Sequence, residues 1–370
     1  MSDRPWFVLE DEAEIASPAL LIYPDRVAAN IDLMIEIAGD PERLRPHVKT
    51  HKLAEIVRMQ LDRGVSRFKC ATIAEVEMVA DAGGEDVLLA YQPVGPNMGR
   101  LCGLVEKYPG TRFSAVVDDV TVVSTLSEVF SGASAFLGLY LDVDCGMHRS
   151  GIAPGTGAKN VYRSIVESPN VEAAGLHVYD GHVQDAKIEA RRERWEADMV
   201  PIMSFREELL ADGLPVPGMI GGGTPTFPLH AAHDDRECSP GTTLLWDVGY
   251  GGRFGDLPFQ WAAVLLTRVV SKPGKNRLCL DLGHKAVAAD KPQPRALLLN
   301  IPDSVPVVHS EEHLMVETPA AGDFAVGDCI YAVPTHICPT VALHDDVVVV
   351  REGKAAERWQ VKARRRRLGF

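Results

Sequence analysis

The sequence predicts an α/β protein, a (β/α)8 TIM-like barrel followed by a mainly antiparallel β domain. Eight short apolar runs alternate with segments of helix length between residues 45 and 239. This alternation is typical of parallel strands joined by right-handed helical crossovers, and eight such units suit a closed barrel. Beyond about residue 250, Pro, Gly and Asp separate the apolar runs, which is typical of antiparallel strands.

The barrel elements can be placed one by one. Val27, Ile31 and Met34 recur at helical spacing after Pro24 and predict a first helix. The residues Thr72-Ile73-Ala74-Glu75 have the pattern of a capping box, which predicts that a helix starts after the second strand. The predicted barrel strands span residues 45–49, 67–71, 86–90, 112–117, 135–142, 171–179, 216–220 and 237–239.

The second domain is predicted from five further runs. They span residues 261–270, 277–282, 295–299, 329–334 and 347–350. A chain of 370 residues exceeds one ordinary hydrophobic core, so two domains are the default expectation. We place the barrel at residues 20–250 and the β domain at residues 251–370, completed by residues 1–19.

Composition excludes several classes of function. The net charge of -13 argues against a nucleic-acid partner, because phosphate binding needs a basic surface. The one strongly basic run, at residues 364–367, is interpreted as a solvated tail. The chain has no signal-peptide pattern and no apolar run long enough to cross a membrane, so we expect a cytoplasmic protein. Seven scattered cysteines, an odd number, predict reduced thiols rather than disulfides.

Lys49 is the first candidate catalytic residue. It lies in the basic segment Arg45-Pro46-His47-Val48-Lys49-Thr50-His51-Lys52. Nearby positive charge or desolvation lowers the pKa of a lysine and makes its amine a nucleophile, as a Schiff-base lysine requires. If the segment is a strand, Arg45, His47 and Lys49 share one face. A solvated basic strand end is the ordinary alternative, but chemistry in a barrel belongs at the C-terminal ends of strands, where Lys49 is predicted to lie.

Other predicted strand ends carry polar groups. They are Asp142–Gly151, His177–His182 and Ile220–Thr226. In the last of these, three glycines allow backbone amides to approach an anion and threonine hydroxyls can donate hydrogen bonds, so the turn could hold a phosphate. The segment Ser239–Thr243 could supply a second wall for the same phosphate. Each signal alone is weak, but together around a barrel they indicate a site.

His336 and Cys338 form a candidate metal site. They are two residues apart in a predicted extended segment, so both side chains would project from one face. Two protein ligands leave coordination positions open for water or substrate, which is typical of a catalytic metal. A thiolate favours zinc, whereas a carboxylate would suit manganese or magnesium better.

Five of these segments carry a family resemblance. The segments Arg45–Lys52, Asp142–Gly151, Gly221–Thr224, Ser310–His313 and His336–Thr340 resemble the D-threonine aldolase and D-serine dehydratase-like family. Its members are fold-type III pyridoxal phosphate enzymes related to alanine racemase. The similarity covers essentially the whole chain in the expected order, and the segments around Lys49 and His336 are the specific ones.

The resemblance implies a role for each motif. Lys49, in the family's His-x-Lys-Thr-His pattern, would bond pyridoxal 5'-phosphate, and Arg149 would contact the region of its phenolic oxygen. An ion pair of Arg149 with Asp142 or Asp144 is the alternative. Further cofactor contacts are expected from Tyr179 near the ring and, around the phosphate, from Gly222, Gly223, Thr224, Ser239, Gly241 and Thr242. The resemblance also implies a divalent ion, zinc or manganese, and a homodimer.

Two residues, Cys338 and His182, bear on whether the predicted reaction is an aldol cleavage or a dehydration. As the family patterns are understood, D-threonine aldolases carry His-x-Asp where this chain has His336 and Cys338, whereas the dehydratases carry His-x-Cys. His182, however, matches the position from which aldolases supply a histidine near the metal, and a histidine can take the proton of a β-hydroxyl. We predict an aldolase that cleaves D-β-hydroxy-α-amino acids to glycine and an aldehyde. The alternatives are a D-serine or 3-hydroxyaspartate dehydratase, which gives a keto acid and ammonia, and, less favoured, an amino-acid racemase or a pyridoxal phosphate-binding protein.

Overall fold

A computed structural model describes residues 4–133 and 136–369. The described residues fall into two compact units. The barrel unit contains Asp32–Lys49, Ala54–Gly241 and the residues from Arg365 onward, and the β unit contains the residues up to Ile31, Thr50–Leu53 and Thr242–Arg364. Among the described residues, no helix combines the length and the apolar character needed to cross a membrane.

The barrel unit is built on parallel strands, each hydrogen-bonded to the next in chain order. These strands are Arg67–Cys70, Asp86–Leu89, Arg112–Val117, Leu137–Val143, Val171–Val178, Met219–Gly221 and Glu237–Cys238. The segment 44–48 joins the two edge strands, because Leu44 bridges to Cys238 and His47 bridges to Lys69. The predicted barrel is therefore confirmed, with this segment in the place of the first strand.

The first predicted strand differs from expectation. Arg45 N–H donates to the Cys238 carbonyl on one side, and Val48 N–H donates to the Lys69 carbonyl on the other. No continuous ladder forms between these bonds because Pro46 has no N–H to donate. Lys49 consequently lies in the turn that follows, not at the end of a strand.

Helices connect the strands of the barrel. They are Pro24–Ala38, Ala54–Leu61, Ile73–Asp81, Pro96–Lys107, Val120–Val129, Thr156–Glu167, Ile188–Ala211 and Phe227–Ala231. The predicted capping box is confirmed: the Thr72 hydroxyl accepts from Glu75 N–H at 3.2 Å, and the Glu75 carboxylate accepts from Ala71 N–H at 2.6 Å. The predicted strand 135–142 is found at Leu137–Val143, and its first residue, Ala135, lies outside the described residues.

The β unit is a mainly antiparallel sheet. Ala19–Ile22 pairs antiparallel with Ala263–Gly274 and parallel with Asp346–Arg351. The other described strands are Arg277–Leu280, Ala296–Leu298, Val305–His309, Leu314–Glu317, Cys329–Pro334 and Lys354–Gln360, and two short helices span Val248–Gly251 and Ile337–Val341. The sequence interpretation missed the strands at 305–309, 314–317 and 354–360. The first and the third are largely exposed, and the second is only four residues long.

Candidate active site

Three cationic side chains surround the ring of Tyr179 in the barrel unit. The Nζ atoms of Lys49 and Lys69 lie 5.7 Å and 5.6 Å from the ring centroid, and the guanidinium carbon of Arg149 lies 4.7 Å from it. Tyr179 directly follows the Val171–Val178 strand. The predicted residues Lys49, Arg149 and Tyr179 are thus brought together.

The three cations have no counter-charge of their own. Within the described chain, none of Lys49, Lys69 and Arg149 forms an ion pair. The alternative partners of Arg149 are engaged elsewhere, since Asp142 bonds His177 and Ser150 while Asp144 bonds His148. A cluster of cations in this state is suited to an anion, and its charge is compatible with the phosphate and phenolic oxygen of pyridoxal phosphate.

Lys69 was missed by the sequence interpretation. Its side chain is only 3% exposed. Burial, together with the charge of Lys49, lowers its pKa to about 7, although Asp142 and Asp180 act in the opposite direction. The available signal was its position in the strand Phe68-Lys69-Cys70, because a lysine between buried apolar residues must face either the barrel interior or the helices.

A buried histidine and carboxylate pair lies near the same ring. Asp142 and His177 are opposite each other in the parallel register, and Asp142 Oδ1 lies 2.7 Å from His177 Nδ1. Burial, reinforced by the charge of Lys69, lowers the pKa of His177. A neutral His177 that donates its Nδ1–H to Asp142 leaves Nε2 bare, and this buried atom has no hydrogen-bond partner among the described residues.

The predicted phosphate turn packs on a buried histidine. Gly222 has a positive φ of +77°, and a Cβ at this position would lie 2.6 Å from the His230 ring. His230 Nε2 lies 2.7 Å from Asp180 Oδ2, and the Thr226 hydroxyl donates to Asp180 Oδ1 at 2.8 Å. Only glycine therefore fits at position 222, where the backbone has a positive φ and packs directly against the His230 ring.

The second predicted phosphate wall meets this turn within the barrel unit. Gly241 N–H donates to the Thr224 hydroxyl at 3.1 Å, and Ser239 N–H donates to the Gly221 carbonyl at 3.1 Å. The Ser239 hydroxyl donates to the Arg45 carbonyl at 3.0 Å, so it holds the segment before Lys49. Thr242 belongs to the β unit, where its hydroxyl lies 3.6 Å from Cys338 Sγ.

His182 is paired with a carboxylate on the longest helix of the barrel unit. Its Nε2 lies 2.8 Å from Asp198 Oδ2, in the helix Ile188–Ala211. The ring also lies against Gly146, where a Cβ would approach Nε2 to 2.9 Å. His182 Nδ1 is buried and has no hydrogen-bond partner in the part of the chain that the structure describes.

His336 and Cys338 are brought together, but not in an extended segment. His336 is the extended N-cap of the Ile337–Val341 helix, and Cys338 lies inside that helix. The helix begins here because Asp247 Oδ2 accepts from Ile337 N–H at 3.0 Å and so caps its first turn. The expected side-by-side arrangement on one strand face is therefore wrong, although Cys338 lies close enough to His336 to raise its pKa.

The donor set of this pair is compatible with an open metal site. Burial lowers the pKa of His336, but Cys338 and Asp290 outweigh it and raise the pKa to about 9. Asp290 Oδ2 lies 2.6 Å from His336 Nδ1, the arrangement in which a carboxylate orients a metal-binding imidazole through its other nitrogen. The Thr50 hydroxyl lies 3.2 Å from Cys338 Sγ. Across the described ranges, no group of three His, Cys, Asp or Glu side chains is placed to hold a metal.

Comparison with known proteins agrees with this arrangement. Residues 22–247 match the family model of the alanine racemase N-terminal domain, and residues 262–350 match that of a serine dehydratase domain. A D-threonine aldolase from Arthrobacter sp. is 29% identical over 95% of this chain and 93% of its own. A D-threo-3-hydroxyaspartate dehydratase from Delftia sp. is 26% identical over 74% of this chain and 73% of its own.

A solved structure agrees as well. The crystal structure of D-threonine aldolase from Filomicrobium marinum has a TM-score of 0.87 and 27% identity, and it covers 95% of this chain and 96% of its own. The resemblance predicted from the motifs is confirmed. Since the match spans most of the chain, this protein belongs to the family that carries the alanine racemase N-terminal domain.

Proposed function

We propose that this protein is a pyridoxal phosphate-dependent aldolase that cleaves D-β-hydroxy-α-amino acids to glycine and an aldehyde. The observation that carries the proposal is the set of three cations without ion pairs around Tyr179, beside the glycine turn supported by His230. When bound, pyridoxal phosphate supplies an electron sink for the pair left on Cα as a bond to that carbon breaks.

The residues of the barrel would bind and orient this cofactor. Lys49 would hold it covalently and become a free amine when the amine of the substrate takes its place. Arg149 would face the phenolic oxygen. The turn Gly222–Thr224, together with Gly241, would lie against the phosphate, because glycines without side chains let an anion approach the backbone closely.

His182 is the candidate base for the β-hydroxyl. With its Nε2–H donated to Asp198, the ring is held in one tautomer and presents a bare Nδ1 that can accept a proton. The Asp198 carboxylate would then stabilise the imidazolium that results, as the third member of a catalytic triad does for its histidine. Proton removal from a β-hydroxyl is the step that carbon–carbon cleavage requires and that a dehydration does not.

His336 and Cys338 would hold a divalent ion, zinc or manganese, with Asp290 orienting the imidazole. Such an ion polarises a coordinated oxygen and lowers its pKa. The presence of a thiol at position 338 favours a second candidate function, a dehydratase acting on D-serine or 3-hydroxyaspartate. The similarity to the aldolases is nevertheless higher and covers more of the chain than the similarity to the dehydratase.

Product analysis distinguishes the two functions. We expect D-threonine to give glycine and acetaldehyde, and D-serine to give little keto acid. Activity should be lost on chelation and return when zinc or manganese is added back. A keto acid and ammonia as the main products would establish the dehydratase instead. Conversion of a D-amino acid to its L-enantiomer, unaffected by chelation and without either set of products, would exclude both and indicate a racemase.

We also propose that the protein is a cytoplasmic homodimer, and the family resemblance supports the homodimer. Light scattering during size-exclusion chromatography gives the mass of the assembly directly, and twice the 40.3 kDa of one chain is expected. A mass of one chain would contradict this part of the proposal.

A further inference from the structure

The interior of the barrel contains a buried ammonium group with no ion pair in the described chain, that of Lys69. Its backbone is fixed on both sides, because Lys69 N–H donates to the Pro46 carbonyl and its carbonyl accepts from Val48 N–H. Its Nζ lies beneath the same Tyr179 ring that Lys49 and Arg149 approach. The backbone contacts therefore place this amine within the candidate cofactor site.

The charged groups that face Lys69 do not neutralise it. His47 is its neighbour across the barrel bridge, and Lys49 and Arg149 add positive charge. Two carboxylates raise its pKa, but each is engaged by other groups: Asp142 by His177 and Ser150, and Asp180 by His230 and Thr226. A buried ammonium without a paired anion is costly, so this site is stabilised by an anionic ligand or by loss of the proton.

We propose that Lys69 is an anion-binding residue of the cofactor site that takes up a proton when the phosphorylated cofactor binds. The proposal rests on the proposed function, since it assumes that pyridoxal phosphate occupies this site. Beyond that function, it assigns a second lysine to the cofactor site and couples cofactor binding to the uptake of a proton. Lys49 forms the covalent bond, whereas Lys69 supplies a positive charge that appears when the ligand is bound.

The pH dependence of ligand affinity follows from the direction in which binding shifts the pKa of Lys69. Without ligand, burial lowers the pKa of Lys69 to about 7. A bound anion favours the charged amine and raises this pKa. Below about pH 7 the charge is already present and contributes fully to binding; above it, each bound ligand must draw a proton from solution, so affinity falls by up to about tenfold per pH unit for this group.

The test uses 4'-deoxypyridoxine 5'-phosphate, which lacks the aldehyde and cannot react with Lys49. Its dissociation constant and the protons taken up on binding are measured by calorimetry at about pH 6 and about pH 9, for the wild type and for Lys69→Met and Lys69→Arg. We expect Lys69→Met to bind about tenfold more weakly at the lower pH, with nearly wild-type affinity at the higher pH. Lys69→Arg should keep the affinity but lose the pH dependence, since arginine stays charged.

Proton uptake gives a second readout. At about pH 7.5 the wild type should take up about half a proton more per bound ligand than Lys69→Arg does, because a tenfold gain in affinity corresponds to a rise of about one unit in the pKa of Lys69. Equal uptake by both proteins overturns the proposal. An equal loss of affinity at both pH values in Lys69→Met overturns it too, because that result indicates a packing role.

Different results would contradict the proposed reaction and the proposed role of Lys69. Lys49→Ala separates them: it should still bind the analogue, yet lose the visible absorbance that pyridoxal phosphate gives when bonded to a lysine. If the wild type binds neither the analogue nor pyridoxal phosphate, both proposals are overturned. If binding depends on Lys69 but D-threonine is not cleaved, only the proposed reaction is wrong.

Discussion

At the scale of single residues, the local sequence predicted some functional side chains and missed others. Lys49 could be predicted because its local segment carries a specific pattern. Lys69 and His177 could not, because their roles depend on strands that pair across the barrel: Lys69 with His47, and His177 with Asp142. The partner of His182 could not be predicted either. Asp198 lies in a long helix with many charged residues, and nothing in the local sequence distinguishes it from the others.

His182 and Asp198 give a prediction at this scale. We expect His182→Asn to lower kcat for D-threonine by about 10²- to 10⁴-fold, the usual contribution of a general base. Asp198→Asn should lower kcat less, because it removes the carboxylate that fixes the tautomer but leaves the imidazole in place. Steady-state kinetics over a range of pH, together with the visible spectrum of the bound cofactor, measure both effects.

His148 is a matched control for this prediction. It forms a similar pair with Asp144, at 2.8 Å, but its side chain is exposed. His148→Asn should keep kcat near the wild-type value, and asparagine tolerates the positive φ of this position. If His182→Asn were as active as His148→Asn, another group would have to remove the hydroxyl proton.

At the scale of elements, the sequence predicted strands and helices best where local patterns decide them. The capping box of Thr72 and Glu75 formed as expected because both partners lie within one turn. The helix Ile337–Val341 was missed because its cap comes from Asp247, far away in the chain. Cys338 also precedes Pro339, a position that ordinarily disfavours helical backbone, so the local sequence predicted an extended segment here.

The turn at Gly222 gives a prediction for one element. Gly222→Ala requires a residue with a Cβ to adopt a φ of +77° against the His230 ring. Strain of this kind costs on the order of 1–3 kcal/mol, and relief by movement of the turn would displace the phosphate contacts. We expect a lower melting temperature and weaker binding of pyridoxal phosphate, measured by thermal unfolding and by equilibrium dialysis.

Gly255→Ala is the matched control. A Cβ at Gly255 would meet nothing within 4 Å, and its φ is not in the left-handed region. This substitution should leave stability and cofactor affinity unchanged. Wild-type affinity in Gly222→Ala would show that the turn does not contact the phosphate.

At the scale of the whole molecule, closure of the barrel depends on a buried arginine. The Arg45 side chain is 1% exposed and pairs with Asp86 at 2.6 Å and with Glu237 at 2.5 Å. These carboxylates belong to two different barrel strands, and Arg67 bonds Glu237 as well. The barrel and its alternation were visible in the sequence, but this ion network was not, because charged residues at strand starts ordinarily face water.

We therefore expect Arg45→Met to destabilise the protein. Removing one partner of a buried ion pair leaves the others buried and uncompensated, which costs about 3–5 kcal/mol. Unfolding in urea, followed by circular dichroism, measures the change. Arg112→Met is the control, because Arg112 and Glu172 form an exposed pair on the same barrel, and its loss should cost about 1 kcal/mol or less.

The closure of the ring by segment 44–48 has a consequence for the order of events during synthesis. This segment leaves the ribosome early, yet one of its two neighbours, Cys238, is made much later. Contacts between such distant parts of a chain form late in folding, because a long loop must be closed first. Lys49 therefore gains its final position only when the last barrel strand has docked, and a partly made chain has no complete site with which to capture the cofactor.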